Sequence, residues 1–130
     1  MSTLTVGTIK SVSSAAPVFQ NTSGTEKGQL AKAWVSFDST GTFTVNDSFN
    51  VSSVDDNGTG DFTVNFSTAM ANVNYAIGTG FHLNQHNGTS HGSCYVQNIG
   101  TSSFDLYVCN DNNGTQVLDK DHVSAVVFGD

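Results

Sequence analysis

The chain has 130 residues, of which only 12% are charged, and a net charge of −7 at pH 7. This length suits one domain with a hydrophobic core, and the sparse acidic charge argues against nucleic-acid and anionic-membrane binding, which need basic residues. Thirteen glycines against one proline, with abundant Ser, Thr and Asn, are typical of short strands joined by turns. No segment repeats apolar residues at the helical period, so we predict an all-β fold.

Residues 1–29 are predicted to be an extended N-terminal arm ahead of a β-sandwich domain over residues 30–130. Residues 2–10 alternate weakly, as in a short strand, and residues 11–29 are rich in Ser, Ala, Thr and Gly. Because the arm carries little apolar mass, we expect it to add to a sheet edge or to a neighbouring chain. The side chains assigned to attachment or oligomerisation are Leu4, Val6, Ile9 and Phe19, with Trp34 of the following domain.

A strand over residues 32–37 opens the domain. Alternation places Ala33, Val35 and Phe37 on one face of this strand and Trp34 on the other. Both faces therefore carry apolar bulk and need cover. The Trp34 face predicts a second apolar surface, which another copy of the chain would shield.

A phenylalanine-rich stretch then predicts a long antiparallel hairpin. One set of apolar residues of a single parity precedes a polar turn and a second set follows it, so each run has one apolar face. We place the turn at Asn57-Gly58, because this pair readily adopts the positive φ angles of a tight hairpin. The apolar face is expected to form the floor of the core; its members are Phe43, Val45, Phe49, Val51, Phe62, Val64 and Phe66.

The remaining strands are predicted over residues 74–81, 93–99, 103–109 and 121–128. The third of these should direct an apolar face to the core, and the last is apolar enough to be central. About seven to nine short strands at this spacing are typical of an antiparallel β-sandwich or a jelly-roll-like domain. The core-facing residues of the 103–109 strand are Phe104, Leu106 and Val108.

The two cysteines are Cys94 and Cys109. If residues 100–103 form a hairpin with a two-residue loop, the cysteines face each other and a disulfide is geometrically feasible. Two reduced thiols, in a protein made in a reducing cytosol, are the alternative that we favour.

No catalytic or cofactor-binding residue is predicted, and we do not expect an enzyme. The acidic residues cluster in turns, and no strand interior offers the paired carboxylates of a glycosidase. His82, His86 and His91 are the candidate metal ligands. Two or three of them could hold one zinc ion within a chain, and in a trimer one His per chain near the axis would supply three ligands. No Cys or Glu lies nearby, so we favour exposed polar loop residues and no metal.

Two polar, glycine-bearing segments, residues 82–92 and 110–115, are predicted to be exposed loops. The Ser, Thr and Asn residues of the whole chain predict either a solvated sheet face or a surface for sugars or for self-association. The residues that we expect to contact a receptor or ligand are Asn84, Gln85, His86, Asn87, Gly88, Thr89, Asn112 and Asn113.

Nearly the whole chain resembles a module of tailed-phage structural proteins. The resemblance is most specific in the central hairpin. It is carried by residues 33–37, 41–42, 48–54, 56–66 and 74–75, by the opening residues 2–6 and 17–21, and by the ending residues 123–130.

What the resemblance implies is a homotrimeric, β-rich virion protein, tail-fibre-like or an appendage knob, in which variable loops contact a host surface glycan. Its partners would be two further copies and other tail or capsid proteins, and it would be assembled in the host cytoplasm. The alternatives are a capsid decoration or head-fibre protein and a carbohydrate-binding module. Neither nucleic-acid binding nor membrane insertion is expected, and the resemblance supplies no catalytic residue.

Overall fold

The computed structural model describes residues 5–10, 19–82, 92–110 and 116–129. These residues form eleven strands and no helix, and therefore no helix long and apolar enough to cross a membrane. The predicted all-β fold is confirmed for this part of the chain. The strands are β1 (Phe19–Gln20), β2 (Glu26–Gly28), β3 (Ala33–Asp38), β4 (Thr44–Phe49), β5 (Val51–Gly58), β6 (Asp61–Phe66), β7 (Ala76–Phe81), β8 (Gly92–Gln97), β9 (Ser103–Asn110), β10 (Gln116–Val117) and β11 (Val123–Phe128).

The chain divides into two compact units, Met1–Leu30 and Ala31–Asp130. In the first unit, β1 pairs with β2 in a small antiparallel hairpin. Its turn is held by the Asn21 side-chain oxygen, which accepts hydrogen bonds from the Ser23 and Thr25 amides at 3.1 and 2.8 Å.

The first unit differs from the predicted arm in its local structure. Residues 5–10 form no strand, so the predicted strand over residues 2–10 is wrong for its described part. Too few large apolar side chains fall on one face there to make pairing favourable. Of the side chains assigned to attachment in this unit, Leu4 lies outside the described residues. Val6, Ile9 and Phe19 are 49%, 61% and 46% exposed.

The second unit contains two antiparallel sheets. Sheet I has the order β4-β3-β11-β7. Sheet II has the order β5-β6-β9-β8, and β10 also pairs with β9. Since β8 covers residues 105–110 of β9 along one edge, β10 must share the other edge with β6, end to end. Each sheet is therefore four strands wide.

One hydrophobic cluster draws on both sheets, which gives a β-sandwich-like arrangement. The Phe37 ring of sheet I meets the Phe62 ring of sheet II edge-on, with centroids 4.9 Å apart. Alternate residues of β3, β6, β9 and β11 point into this cluster, as period-two patterning predicts. Its largest fully buried side chains are Phe37, Phe62, Phe104, Leu106, Val35, Val64, Val108, Val123 and Val127.

The strand order does not confirm the predicted jelly-roll-like winding. Three of the pairs, β3 with β4, β5 with β6, and β8 with β9, join strands consecutive in the chain as hairpins. The short β10 likewise pairs with the strand before it, β9. Among the described strands of these sheets, only β3 with β11, β6 with β9 and β7 with β11 bring distant strands together.

The phenylalanine-rich hairpin is present but shorter than predicted. It consists of β5 and β6, and Gly58 pairs with Asp61, so the two-residue turn is Thr59-Gly60 rather than Asn57-Gly58. Gly60 supplies the positive φ of +63°.

Strand β4 does not contribute to the predicted apolar floor. It belongs to sheet I, and Val45 and Phe49 are 38% and 55% exposed. The chain changes sheet at Asn50, whose φ is +54°. The Asn50 side-chain amide donates to the Lys32 and Thr68 carbonyls at 3.1 and 3.2 Å, which fixes the crossing.

The two cysteines do not pair with each other across β8 and β9. Cys94 pairs with Val108 and Cys109 with Ser93, because the β8–β9 connection is longer than two residues. A one-residue slip sends neighbouring side chains to opposite faces of a sheet. No disulfide joins Cys94 to Cys109.

Candidate binding surfaces on the outer sheet faces

Most of the predicted site lies outside the described residues. This applies to the residues predicted to contact a receptor, Asn84 to Thr89 with Asn112 and Asn113, and to the candidate metal ligand His91. Their roles remain predictions. His82 is described: its Nδ1 lies 3.4 Å from Asp121 Oδ1, and its side chain is 60% exposed. Within the described ranges, no three His, Cys, Asp or Glu side chains group as metal ligands would.

The outer face of sheet II follows directly from the alternation that builds the core. In β6 the sequence Asp-Phe-Thr-Val-Asn-Phe sends its apolar residues inward and Asp61, Thr63 and Asn65 outward. In β9, burial of Phe104 and Leu106 leaves the intervening residues on the outer side in the same way. This face is therefore a second product of the pattern that makes the core.

Strand register aligns these outward residues into two rows. The first, here called the polar row, crosses all four strands and consists of Asp55, Thr63, Asp105 and Gln97. The second, here called the tyrosine row, consists of Asp61, Tyr107 and Tyr95.

Hydrogen bonds hold the polar row in place. Asn57 Nδ2 donates to Thr63 Oγ1 at 2.9 Å, and Thr63 Oγ1 donates to Asp105 Oδ1 at 2.8 Å. Asn98 Nδ2 donates to the other Asp105 oxygen at 2.6 Å. Side chains that bond one another in a chain lose rotamer freedom before any ligand arrives.

The tyrosine row combines aromatic surface with negative charge. Tyr95 is 44% exposed and pairs across strands with the half-buried Tyr107. The neighbouring Asp61 carboxylate raises the pKa of Tyr107, and burial, Asp105 and the hydrogen bond to Asp61 raise it further. Tyr107 is therefore a neutral donor at neutral pH.

No basic side chain offsets these carboxylates within sheet II. The four basic residues of the chain are Lys10, Lys27, Lys32 and Lys120, and none lies on β5, β6, β8, β9 or β10. The outer face of sheet II thus carries net negative charge.

The outer face of sheet I has the opposite character. Phe49, Trp34, Val126 and Gly78 occupy one row across its four strands, here called the apolar row. Phe128, 42% exposed, lies two residues further along β11 on the same face. Trp34 is half-buried on the side opposite Val35, as the sequence predicted.

The tyrosine row is the feature that sequence reasoning missed. The alternation in β9 that sends Phe104, Leu106 and Val108 inward also sets Asp105 and Tyr107 together on the outer side. A search for aromatic and acidic residues at i and i+2 in the strands would have found them.

Comparisons with protein-family models, with curated proteins and with solved structures give no match for this chain.

Proposed function

We propose that this chain is a structural protein of a tailed-phage virion, a tail-fibre-like or appendage module that forms a homotrimer and contacts host surface glycans. The likeness of residues 33–37 and 56–66 to modules of that kind supports the proposal. An all-β scaffold with few charges also suits it, because subunits can then meet without desolvating many ions.

The observation that carries the proposal is the apolar row. Phe49 and Phe128 are 55% and 42% exposed, and Trp34 and Val126 lie between them on the same face. A contiguous apolar patch on a sheet face marks an interaction surface more often than a solvated one. Sister copies are the partner that we propose for it.

The first unit completes the proposed assembly. Its exposed Val6, Ile9 and Phe19 are proposed to attach the module to neighbouring chains or other virion proteins. Leu4 is assigned to the same role from the sequence.

The mass of the full chain in solution tests the trimer. Light scattering at micromolar concentration should give three times the chain mass of 13.7 kDa. The double variant Trp34→Ser, Phe49→Ser should reduce the mass to that of one chain while circular dichroism keeps its strand signal. Ser124→Ala, on the polar part of the same face, is the matched control and should stay trimeric. A wild-type monomer would refute the trimer.

Electron microscopy of phage particles labelled with an antibody to this chain tests its place on the virion. Label on tails or appendages is expected. Label on heads, with binding of the purified chain to empty heads, would favour the capsid-decoration alternative. Particles without label would refute the virion proposal.

A further inference from the structure

We infer that the outer face of sheet II is a binding face for a neutral carbohydrate, with Tyr95 and Tyr107 as its aromatic platform and the polar row as its hydrogen-bonding edge. The inference rests on the proposed function for the idea of glycan contact. It adds the site and the class of sugar, and it locates contact on a sheet face rather than in the two polar loops alone.

The tyrosine pair provides the apolar part of the face. Residues directly opposed on antiparallel strands lie about 5 Å apart, so Tyr95 and Tyr107 stand next to each other on the outer face of sheet II. The C–H groups on one side of a pyranose ring pack on aromatic side chains through dispersion, and the negative face of the aromatic ring attracts them. A tyrosine side chain loses little conformational entropy when it is immobilised.

The polar row provides the hydrogen-bonding part. Asp105 accepts one hydrogen bond on each oxygen, from Thr63 and Asn98, and a carboxylate has about four acceptor sites, so sites remain for hydroxyl donors. Gln97, exposed at the end of the row, offers both a donor and an acceptor. Vicinal sugar hydroxyls are groups that donate and accept in this way.

The charge of the face selects the class of sugar. Asp55, Asp61 and Asp105 face outward with no basic residue on the strands of sheet II, so sialylated or sulfated glycans would be repelled. Neutral hydroxyl donors instead gain charge-assisted hydrogen bonds to these carboxylates. A bound cation is less suited, since the described residues include no grouping of three acidic, His or Cys side chains.

The test is an array of neutral, sialylated and sulfated oligosaccharides, followed by calorimetric titration of the full chain with the strongest neutral binder. Neutral oligosaccharides should bind better than their anionic counterparts. Tyr95→Ala should weaken the titrated affinity roughly tenfold or more. The control Val73→Ala removes an apolar side chain that is 49% exposed in a loop and should leave the affinity unchanged. Circular dichroism checks that both variants stay folded.

Four outcomes would overturn the inference: no neutral oligosaccharide bound, stronger binding of anionic glycans, affinity that requires calcium and ignores Tyr95, or a smaller solution mass for Tyr95→Ala. The last would show that another copy covers the face. A trimer that labels virions but binds no neutral sugar would refute this inference while the assembly proposal stands. Binding of a neutral sugar by a monomeric chain would support this inference and refute the trimer.

Discussion

The outer faces of the two sheets differ in chemistry although their inner faces share one core. Sheet I presents Phe49, Trp34 and Val126 in a row that is mainly hydrocarbon, with the indole N–H of Trp34 as its one polar group. Sheet II presents carboxylates, amides and hydroxyls that bond one another, with two tyrosines beside them. The inner faces determine that the chain folds, and the outer faces determine what each side can meet.

This contrast separates two kinds of association. Burial of the apolar row removes hydrocarbon from water and requires a hydrogen-bond partner only for the indole N–H of Trp34, which suits a permanent contact between subunits. A ligand on the polar face must replace water with aligned hydrogen bonds, which gives selectivity more than affinity. Four sets of variants test this contrast. They change the core, a turn of sheet II, the polar row and an ionisable tyrosine.

The largest effect is expected from the core that both sheets share. Phe104→Ala removes a ring that is fully buried between the sheets and should cost about 3–5 kcal/mol of unfolding free energy. Phe49→Ala, the matched control on the apolar row, removes a ring that is 55% exposed and should cost less than about 1 kcal/mol. Urea denaturation measures both, at a protein concentration where the chain is monomeric. Equal losses would mean that Phe49 belongs to the core after all.

The next effect concerns the end of sheet II, where β6 and β10 meet. A Cβ at Gly60 would lie 2.6 Å from the Leu118 amide nitrogen and from the Val108 carbonyl oxygen, and its φ is +63°. Gly60→Ala should therefore cost more than Gly41→Ala, which has φ +62° and nothing within 4 Å.

Thermal denaturation should show that Gly41→Ala lowers the unfolding free energy by about 1 kcal/mol, from backbone strain alone. Gly60→Ala should lower it by roughly 2–3 kcal/mol, because backbone displacement adds to the strain. If the two variants were equally stable, the close contact of β10 with Gly60 would be in doubt.

A smaller effect separates the two outer faces directly. Thr63→Val removes the hydroxyl that links Asn57 to Asp105 and should cost about 1 kcal/mol, the net worth of a typical hydrogen bond. On sheet I the Ser124 hydroxyl makes only a 3.4 Å contact with the Gly80 carbonyl, so Ser124→Ala should stay within about 0.5 kcal/mol of wild type. A greater loss for Ser124→Ala would contradict the assignment of the structured polar network to sheet II.

The smallest effect is a pH dependence. Asp61 and burial raise the pKa of Tyr107, and burial raises those of Cys94 and Tyr75. A raised pKa means that the folded state holds the proton more tightly, so this stability is complete below the ordinary pKa values and falls as pH rises beyond about 9 to 10.

Denaturation across that pH range should show the decline, and Tyr107→Phe should make it shallower. A steeper decline in the variant would show that the sign assigned to Tyr107 is wrong.

The inward pattern was predictable because burial on one face imposes period two. Val35 and Phe37 of β3, and Phe104, Leu106 and Val108 of β9, were assigned correctly for this reason. The sheet change at Asn50 was not predictable, because the apolar parity from Phe43 to Val51 continues across it. Periodicity reports which residues share a parity, not which sheet a strand joins.

Register and turn position were also beyond the pattern. The last β8–β9 pair is Gln97 with Asp105, and Asn98 adopts a positive φ of +48°, so the connection is longer than the assumed two-residue loop. The β5–β6 turn and the β8–β9 connection each contain several residues that tolerate positive φ, and packing decides which residue adopts it. The pattern of β9 can place Asp105 and Tyr107 on one face, but the pairing of Tyr107 with Tyr95 and Asp61 depends on register and could be located only from the structure.

Strands β8 and β10 both begin at the same corner of sheet II, beside the end of β9. Strand β8 begins at Gly92 and β10 begins at Gln116, and each of these residues pairs with Asn110, the last residue of β9. The backbone bonds to β9 fix both starting points independently of the sequence in residues 83–91 and 111–115. We therefore expect substitutions within these two stretches to leave the pairing of β8 and β10 with β9 intact.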